Sequence, residues 1–100
     1  MSTYTSTQLK SMASEMFEMH EENGNIAAGL AGPALHQTAK TAKLAESGFA
    51  PAMRVIESEM ATAVAMYEAA LQFTTPPMQN GKAPYAQWDK ATQQFIVNFW

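Results

Sequence analysis

Apolar residues recur at steps of three and four along most of the chain, which is the spacing of a helix face packed against a core. The first such stripe consists of Leu9, Met12, Met16 and Met19. Thr5 and Gln8 fit a capping box before the stripe, and Asn23 followed by Gly24 supplies a left-handed stop after it. We therefore predict a first helix over residues 6–23.

Proline and glycine divide the following residues into two more helical stretches. Pro33 suits the first turn of a helix and Gly48 suits its end, so we predict a second helix over residues 33–46, with mostly small apolar residues. Pro51 begins a third stretch, which we predict to be a helix over residues 50–73. Its apolar stripe is Met53, Ile56, Met60, Ala63, Tyr67 and Ala70. As the longest helix, it is expected to be the spine of the bundle.

The last quarter of the chain is rich in aromatic residues. Residues 74–84 contain prolines and glycine and are predicted to be a linker within a single domain over 1–100. Tyr85, Trp88, Phe95 and Phe99 then follow a helical spacing. This spacing favours a fourth helix over residues 85–98, although the run of Phe95, Ile96 and Val97 is also typical of a strand, so residues 94–100 stay open between the two. The predicted fold class is all-α, a small bundle of three to four helices.

Composition and charge narrow the functional classes. The chain has 100 residues, of which 47% are hydrophobic and 15% charged, enough for one domain with its own core. A net charge of -3 is not typical of a broad nucleic-acid-binding surface. No apolar run is long enough for a transmembrane helix. The first ten residues are polar, so no secretory signal peptide is predicted and a cytoplasmic location is expected, with export by a signal-less route left open.

The sequence contains no pattern of catalytic residues that we can assign. It lacks cysteine, a phosphate-binding glycine loop and a nucleophile motif, and its two histidines, His20 and His36, lie on different predicted helices. Met12, Met16, Met19 and His20 carry soft donors that suit Cu(I). The same methionine spacing is that of a core stripe. We therefore predict no enzyme activity, no cofactor and no metal site.

The abundance of methionine and aromatic residues favours a protein that acts through interfaces. The small residues of the second helix bury little area, so we expect a homo-oligomer that also docks onto another protein. The residues predicted to form these interfaces are Leu9, Met12, Met16, Met19, Tyr85, Trp88, Phe95, Phe99 and Trp100.

Two alternative functions follow from other residues. His36, Lys40 and Lys43 lie on one face of the second helix and form a positive patch. The patch suits the glutamate-rich first helix of the same or another copy, and an alternative function is an oligomer that binds a small anionic or phosphate-bearing ligand there. The long third helix, rich in alanine, methionine and glutamate, and the preceding sequence Lys-Leu-Ala-Glu over 43–46 resemble the phasins, helical proteins that coat storage granules. That resemblance implies an amphipathic, surface-coating protein.

A second resemblance concerns the aromatic segment. The sequence Tyr-Ala-Gln-Trp-Asp over 85–89 is similar to the YxxxD/E export signal of the Trp-x-Gly family of secreted helical hairpins, whose length is also close to that of this chain. It implies an export signal at these residues. The Trp-x-Gly turn of that family is missing, and prolines interrupt the corresponding helical hairpin.

Overall fold

Three helices and one β-hairpin make up the protein, in a computed structural model that describes residues 3–100. The helices are α1 (Ser6–Asn23), α2 (Ala28–Glu46) and α3 (Ala50–Gln72). The strands are β1 (Pro84–Asp89) and β2 (Gln94–Phe99), paired antiparallel. The molecule measures 51 × 28 × 21 Å and is elongated, with a radius of gyration of 14.6 Å.

The first helix has the ends that its sequence predicts. The Thr5 side chain accepts a hydrogen bond from the backbone N–H of Gln8 at 3.1 Å, and the Gln8 side chain accepts one from the Thr5 N–H at 2.9 Å. Gly24 adopts a left-handed conformation with φ of 66° at the other end. The capping box and the stop are local interactions, and the prediction of a helix over residues 6–23 is confirmed.

The second helix begins at Ala28, five residues before the predicted start. The side-chain oxygen of Asn25 accepts a hydrogen bond from the Ala28 N–H at 3.1 Å, so Asn25 closes the turn over residues 26–27 that leads into the helix. Its side-chain nitrogen donates to the carbonyl of Ala70 at 2.9 Å. Pro33 consequently lies inside the helix rather than in its first turn. The buried Asn25 thereby ties the loop before α2 to the end of α3.

The centre of the bundle is α2, so the prediction of the third helix as spine is wrong. α2 packs against both α1 and α3, which touch each other little. Eight residues of α2 are buried, against three of α1 and five of α3. Small residues make this possible because they let a helix be approached closely from two sides. A Cβ on Gly32, for example, would lie 3.0 Å from the ring of Phe17.

The prediction of an all-α fold is also wrong, because the fourth helix is replaced by the hairpin. The aromatic residues fit the spacing of a helix in the sequence, but in the structure successive side chains alternate between the two faces of each strand. Ala86 and Trp88 of β1 share one face with Phe95 and Val97 of β2. Between the strands, the Asp89 carboxylate accepts hydrogen bonds from the Ala91 N–H at 3.1 Å and from the Thr92 hydroxyl at 2.8 Å. The turn continues through Gln93, whose left-handed conformation (φ 54°) does not continue a right-handed helix.

The hairpin packs against the end of the helical bundle through its inner face. Ala86 is buried in the common core, and Trp88 and Phe95 lie against it. The ring centroids of Trp88 and Phe95 are 4.9 Å apart, and those of Phe95 and Phe73 are 5.9 Å apart. The helices and the hairpin therefore share one hydrophobic core.

Candidate functional sites

Two parts of the surface carry the residues that the sequence singles out, and the first is the hairpin. Cross-strand pairs divide it into two faces. The inner face, which packs toward the helices, holds Pro84, Ala86, Trp88, Phe95, Val97 and Phe99. The outer face holds Tyr85, Gln87, Asp89, Gln94, Ile96 and Asn98. The outer face is mostly polar, and Asn98 donates to Gln87 across it at 2.7 Å.

The outer edge of β2 carries backbone groups that β1 does not use. The N–H of Trp100 donates to the carbonyl of Ala83 at 3.2 Å. This bond shows which residues of β2 direct their backbone groups toward β1. In an antiparallel pair, residues alternate between facing the partner strand and facing away from it. By this alternation, Phe95, Val97 and Phe99 direct their N–H and C=O groups away from β1.

The two edges of the hairpin differ in how open they are to another strand. β1 begins with Pro84, which has no N–H to donate, and ends with the charged Asp89. β2 and the residue after it, over 94–100, contain neither proline nor a charged side chain. Charge and proline are the usual features that blunt an edge strand. The β2 edge has neither.

The predicted interface residues lie in different environments. Leu9 and Met16 are fully buried in the core. Met12, Met19, Trp88 and Phe95 are partly buried and packed against that core. Tyr85 and Phe99 are half-buried, whereas Trp100 is 72% exposed. Tyr85 and Trp100 stack with ring centroids 4.4 Å apart. The structure thus brings the aromatic residues together in the hairpin and leaves the α1 stripe inside the bundle.

The second candidate site is a groove between α1 and α2, which we call the basic groove. Its volume is about 320 Å³. The groove is lined by Ser6, Thr7, Lys10, His36, Ala39, Lys40 and Lys43. The predicted patch of His36, Lys40 and Lys43 faces Lys10 and the first turn of α1 across this groove. Three of the six lysine and arginine residues of the chain therefore line it.

A carboxylate of the chain lies beside the first turn of α1. The backbone N–H of Ser6 donates to Oε2 of Glu46 at 2.9 Å, and the Ser6 hydroxyl donates to Oε1 at 3.0 Å. Both oxygens of the carboxylate are therefore held by one residue of the helix N-terminus. An anion is favoured there because the backbone N–H groups of a first turn point toward it.

The sequence prediction of the positive patch did not include Lys10 of α1. Lys10 lies one turn after Ser6, so both residues fall on one face of α1. That spacing was visible in the sequence. The side of α2 against which α1 packs was not, because it depends on the tertiary structure.

Two other sequence hypotheses have less support in the surface of the molecule. In the α3 stripe of the helix that resembles the phasins, Met60, Ala63 and Ala70 are buried, whereas Met53 is 56% exposed. Of the soft donors considered for copper, Met16 is fully buried in the core. Over residues 3–100, no group of three or more histidine, aspartate or glutamate side chains is placed to hold a metal ion.

One glutamate of α1 is held by a tyrosine of α3. The hydroxyl of Tyr67 donates to Oε2 of Glu15 at 2.6 Å. This hydrogen bond to a carboxylate, together with a smaller effect of burial, raises the pKa of Tyr67 to about 12. The phenol therefore stays protonated to higher pH than the ordinary value of 10.0, and the bond joins two helices that otherwise touch little.

Comparison with known protein families, with curated protein sequences and with solved structures gives no significant match for this chain. Among residues 3–100, none of the helices combines the length and apolar character that crossing a bilayer requires. The candidate functions below rest on the hairpin and the basic groove alone.

Proposed function

We propose that this chain is a non-enzymatic assembly protein, in which two copies pair through the outer edges of their β2 strands. Pairing gives an antiparallel four-stranded sheet with a helical bundle against each half. The observation that supports this function is the outer edge of β2, where Phe95, Val97 and Phe99 direct backbone groups away from β1. An added strand satisfies these groups, as in other cases of strand addition to a sheet edge.

A second copy of this chain is the occupant that best suits the edge. The side chains of residues 94–100 are uncharged, so two copies meet in antiparallel orientation without charged side chains of like sign facing each other. A sheet of two strands is also marginal by itself, and further strands stabilise it. The β1 edge is less suited to pairing, because Pro84 has no N–H to donate and Asp89 is charged.

The residues of β2 whose backbone groups point away from β1 determine how two copies can pair. These residues are 95, 97 and 99. The two β2 strands overlap over the greatest length when the two-fold axis of the dimer passes through Val97. Phe95 of one copy then lies opposite Phe99 of the other. The inner faces join into one apolar surface. Because the interface is isologous, each contact away from the axis occurs twice.

Disulfide trapping tests both the pairing and the register. The chain contains no cysteine, so a Val97→Cys variant carries a single thiol. In the proposed dimer, the two Cα atoms at the axis are about 5.5 Å apart, which a disulfide spans. We expect mild oxidation at micromolar concentration to convert the variant to a covalent dimer.

The matched control is Ala91→Cys, an exposed residue of the hairpin turn. In the proposed register its two copies lie about 40 Å apart, at ~3.3 Å per residue along the paired strands. This variant should stay largely monomeric on a reducing-agent-free gel. Equal crosslinking of the two variants, or none with Val97→Cys, would contradict the proposed pairing.

A further inference from the structure

We infer that the basic groove is a binding site for a small phosphate-bearing molecule with two or more negative charges. The inference is independent of the proposed pairing, because the groove lies between α1 and α2 and shares no residue with the hairpin. The proposed site combines the patch predicted from the sequence, His36, Lys40 and Lys43, with the residues of α1 that line the same groove.

Positive charge enters the groove from both of its sides. Lys10 comes from α1, and Lys40 and Lys43 come from α2. The chain as a whole has a net charge of -3, so this concentration of lysine is local. No carboxylate is among the lining residues. Between the lysines lies Ala39, whose single methyl group leaves room for a ligand.

The first turn of α1 adds hydrogen-bond donors to this charge. Ser6 and Thr7, which both carry hydroxyls, are among the residues that line the groove. Ser6 already holds both oxygens of the Glu46 carboxylate, through its N–H and its hydroxyl. This contact is an internal example of the chemistry that we infer, namely an oxyanion bound by the donors of this turn.

The size of the groove and its surroundings select a small ligand. A volume of about 320 Å³ lies at the lower end of the range for small-molecule sites. A long polyanion such as nucleic acid would leave the groove and meet the acidic remainder of the chain. A diphosphate group fits the observations better, because its charges can contact lysines on both sides at once.

Calorimetric titration with inorganic pyrophosphate at low ionic strength tests the inference. We expect saturable binding to the wild-type chain with one site per chain. The Lys40→Ala/Lys43→Ala double variant should bind at least tenfold more weakly. A Glu46→Gln variant should bind several-fold more tightly, because it removes a negative charge beside the groove.

The control is the Lys82→Ala/Lys90→Ala double variant, which removes the same total charge from exposed residues outside the groove. Its affinity should lie within twofold of the wild type. Equal weakening in the two double variants would show a general charge effect and overturn the inference. Absence of saturable binding to the wild type at millimolar pyrophosphate would overturn it as well, provided that circular dichroism shows the chain to be folded.

Discussion

The α2 helix and the β2 strand differ in how the neighbouring elements of the chain pack against them. α2 is built from small residues and is covered on two sides by helices of its own chain. β2 is built from large residues and pairs with β1 along one edge, whereas no backbone hydrogen bond within residues 3–100 uses its other edge. From the sequence, the small residues of the second helix suggested a core that a second chain must complete. The proposed pairing instead places the incomplete element at the outer edge of β2.

Under the proposed pairing, unused backbone groups indicate an open site better than side-chain size does. Alanine and glycine bury little area each, but they permit helices to pack closely from two directions. Aromatic side chains bury more area, but an edge strand keeps unpaired donors and acceptors whatever its side chains are. Substitutions in α2 and in the hairpin test this difference.

The largest expected effect is on the centre of α2. Leu35 is fully buried there, so Leu35→Ala should lower the free energy of unfolding by about 2–5 kcal/mol. Leu30 of the same helix is 38% exposed, and Leu30→Ala should cost less than about 1 kcal/mol. Urea denaturation at one protein concentration measures both. Equal costs would mean that α2 is not the covered centre of the bundle.

Within the hairpin, the two tryptophans separate packing from association. Trp88 is half-buried against Phe95, so Trp88→Ala should destabilise the chain by about 2 kcal/mol, less than a fully buried tryptophan. Trp100 is 72% exposed, and Trp100→Ala should change stability by no more than about 0.5 kcal/mol. Urea denaturation in a Val97→Pro background keeps association out of the comparison. A larger loss from Trp100→Ala would show that the inner face is not the packed one.

The side chain of Asn25, just before α2, has an effect of comparable size but of a different kind. Asn25 is buried and bonds both the Ala28 N–H and the Ala70 carbonyl. Asn25→Ala leaves both without this partner and should cost about 1–3 kcal/mol. Asn23 is exposed at the end of α1, and Asn23→Ala is the matched control, with an expected change within about 0.5 kcal/mol. Similar thermal unfolding of the two variants would rule out the tie between the loop and α3.

The smallest effect concerns the hydrogen bond between α1 and α3. The pKa of Tyr67 is raised to about 12 from the ordinary value of 10.0. A raised pKa means that the bond stabilises the fold fully below pH 10 and that this contribution is lost as the pH rises through about 12. Absorbance titration at alkaline pH should show one late tyrosine transition, which Tyr67→Phe removes and Tyr85→Phe retains. A late transition that survives Tyr67→Phe would contradict the assignment.

The elements that could be predicted from the sequence are those determined by nearby residues. The capping box of Thr5 and Gln8 and the stop at Gly24 involve residues within one helical turn of the ends of α1. Pro51 likewise lies in the first turn of α3. The start of α2 could not be placed in this way, because Asn25 owes part of its role to Ala70, far along the chain.

The hairpin and the basic groove depend on distant residues in the same sense. The aromatic spacing from Tyr85 onward fits a helix locally, and only the pairing of Trp88 with Phe95 across the turn resolves it into strands. The run of Phe95, Ile96 and Val97 and the turn after Asp89 were the signals for a strand. For the groove, the helical spacing predicts that Lys40 shares a face of α2 with His36 and Lys43. The position of Lys10 opposite this face depends on how α1 packs on α2, which the spacing does not predict.

The most direct test of the central claim is the mass of the chain in solution, measured by light scattering on a sizing column over a wide concentration range. The proposed pairing predicts that the wild-type chain reaches twice the 10.9 kDa of one copy. Val97→Pro removes the central outward N–H while sparing the ladder to β1. It should weaken association by about 10–100-fold, because two hydrogen bonds at the axis are lost. Val97→Thr, which keeps the N–H, should associate like the wild type. A wild-type chain that stays at the mass of one copy, or a Val97→Pro variant that dimerises equally well, would contradict the claim.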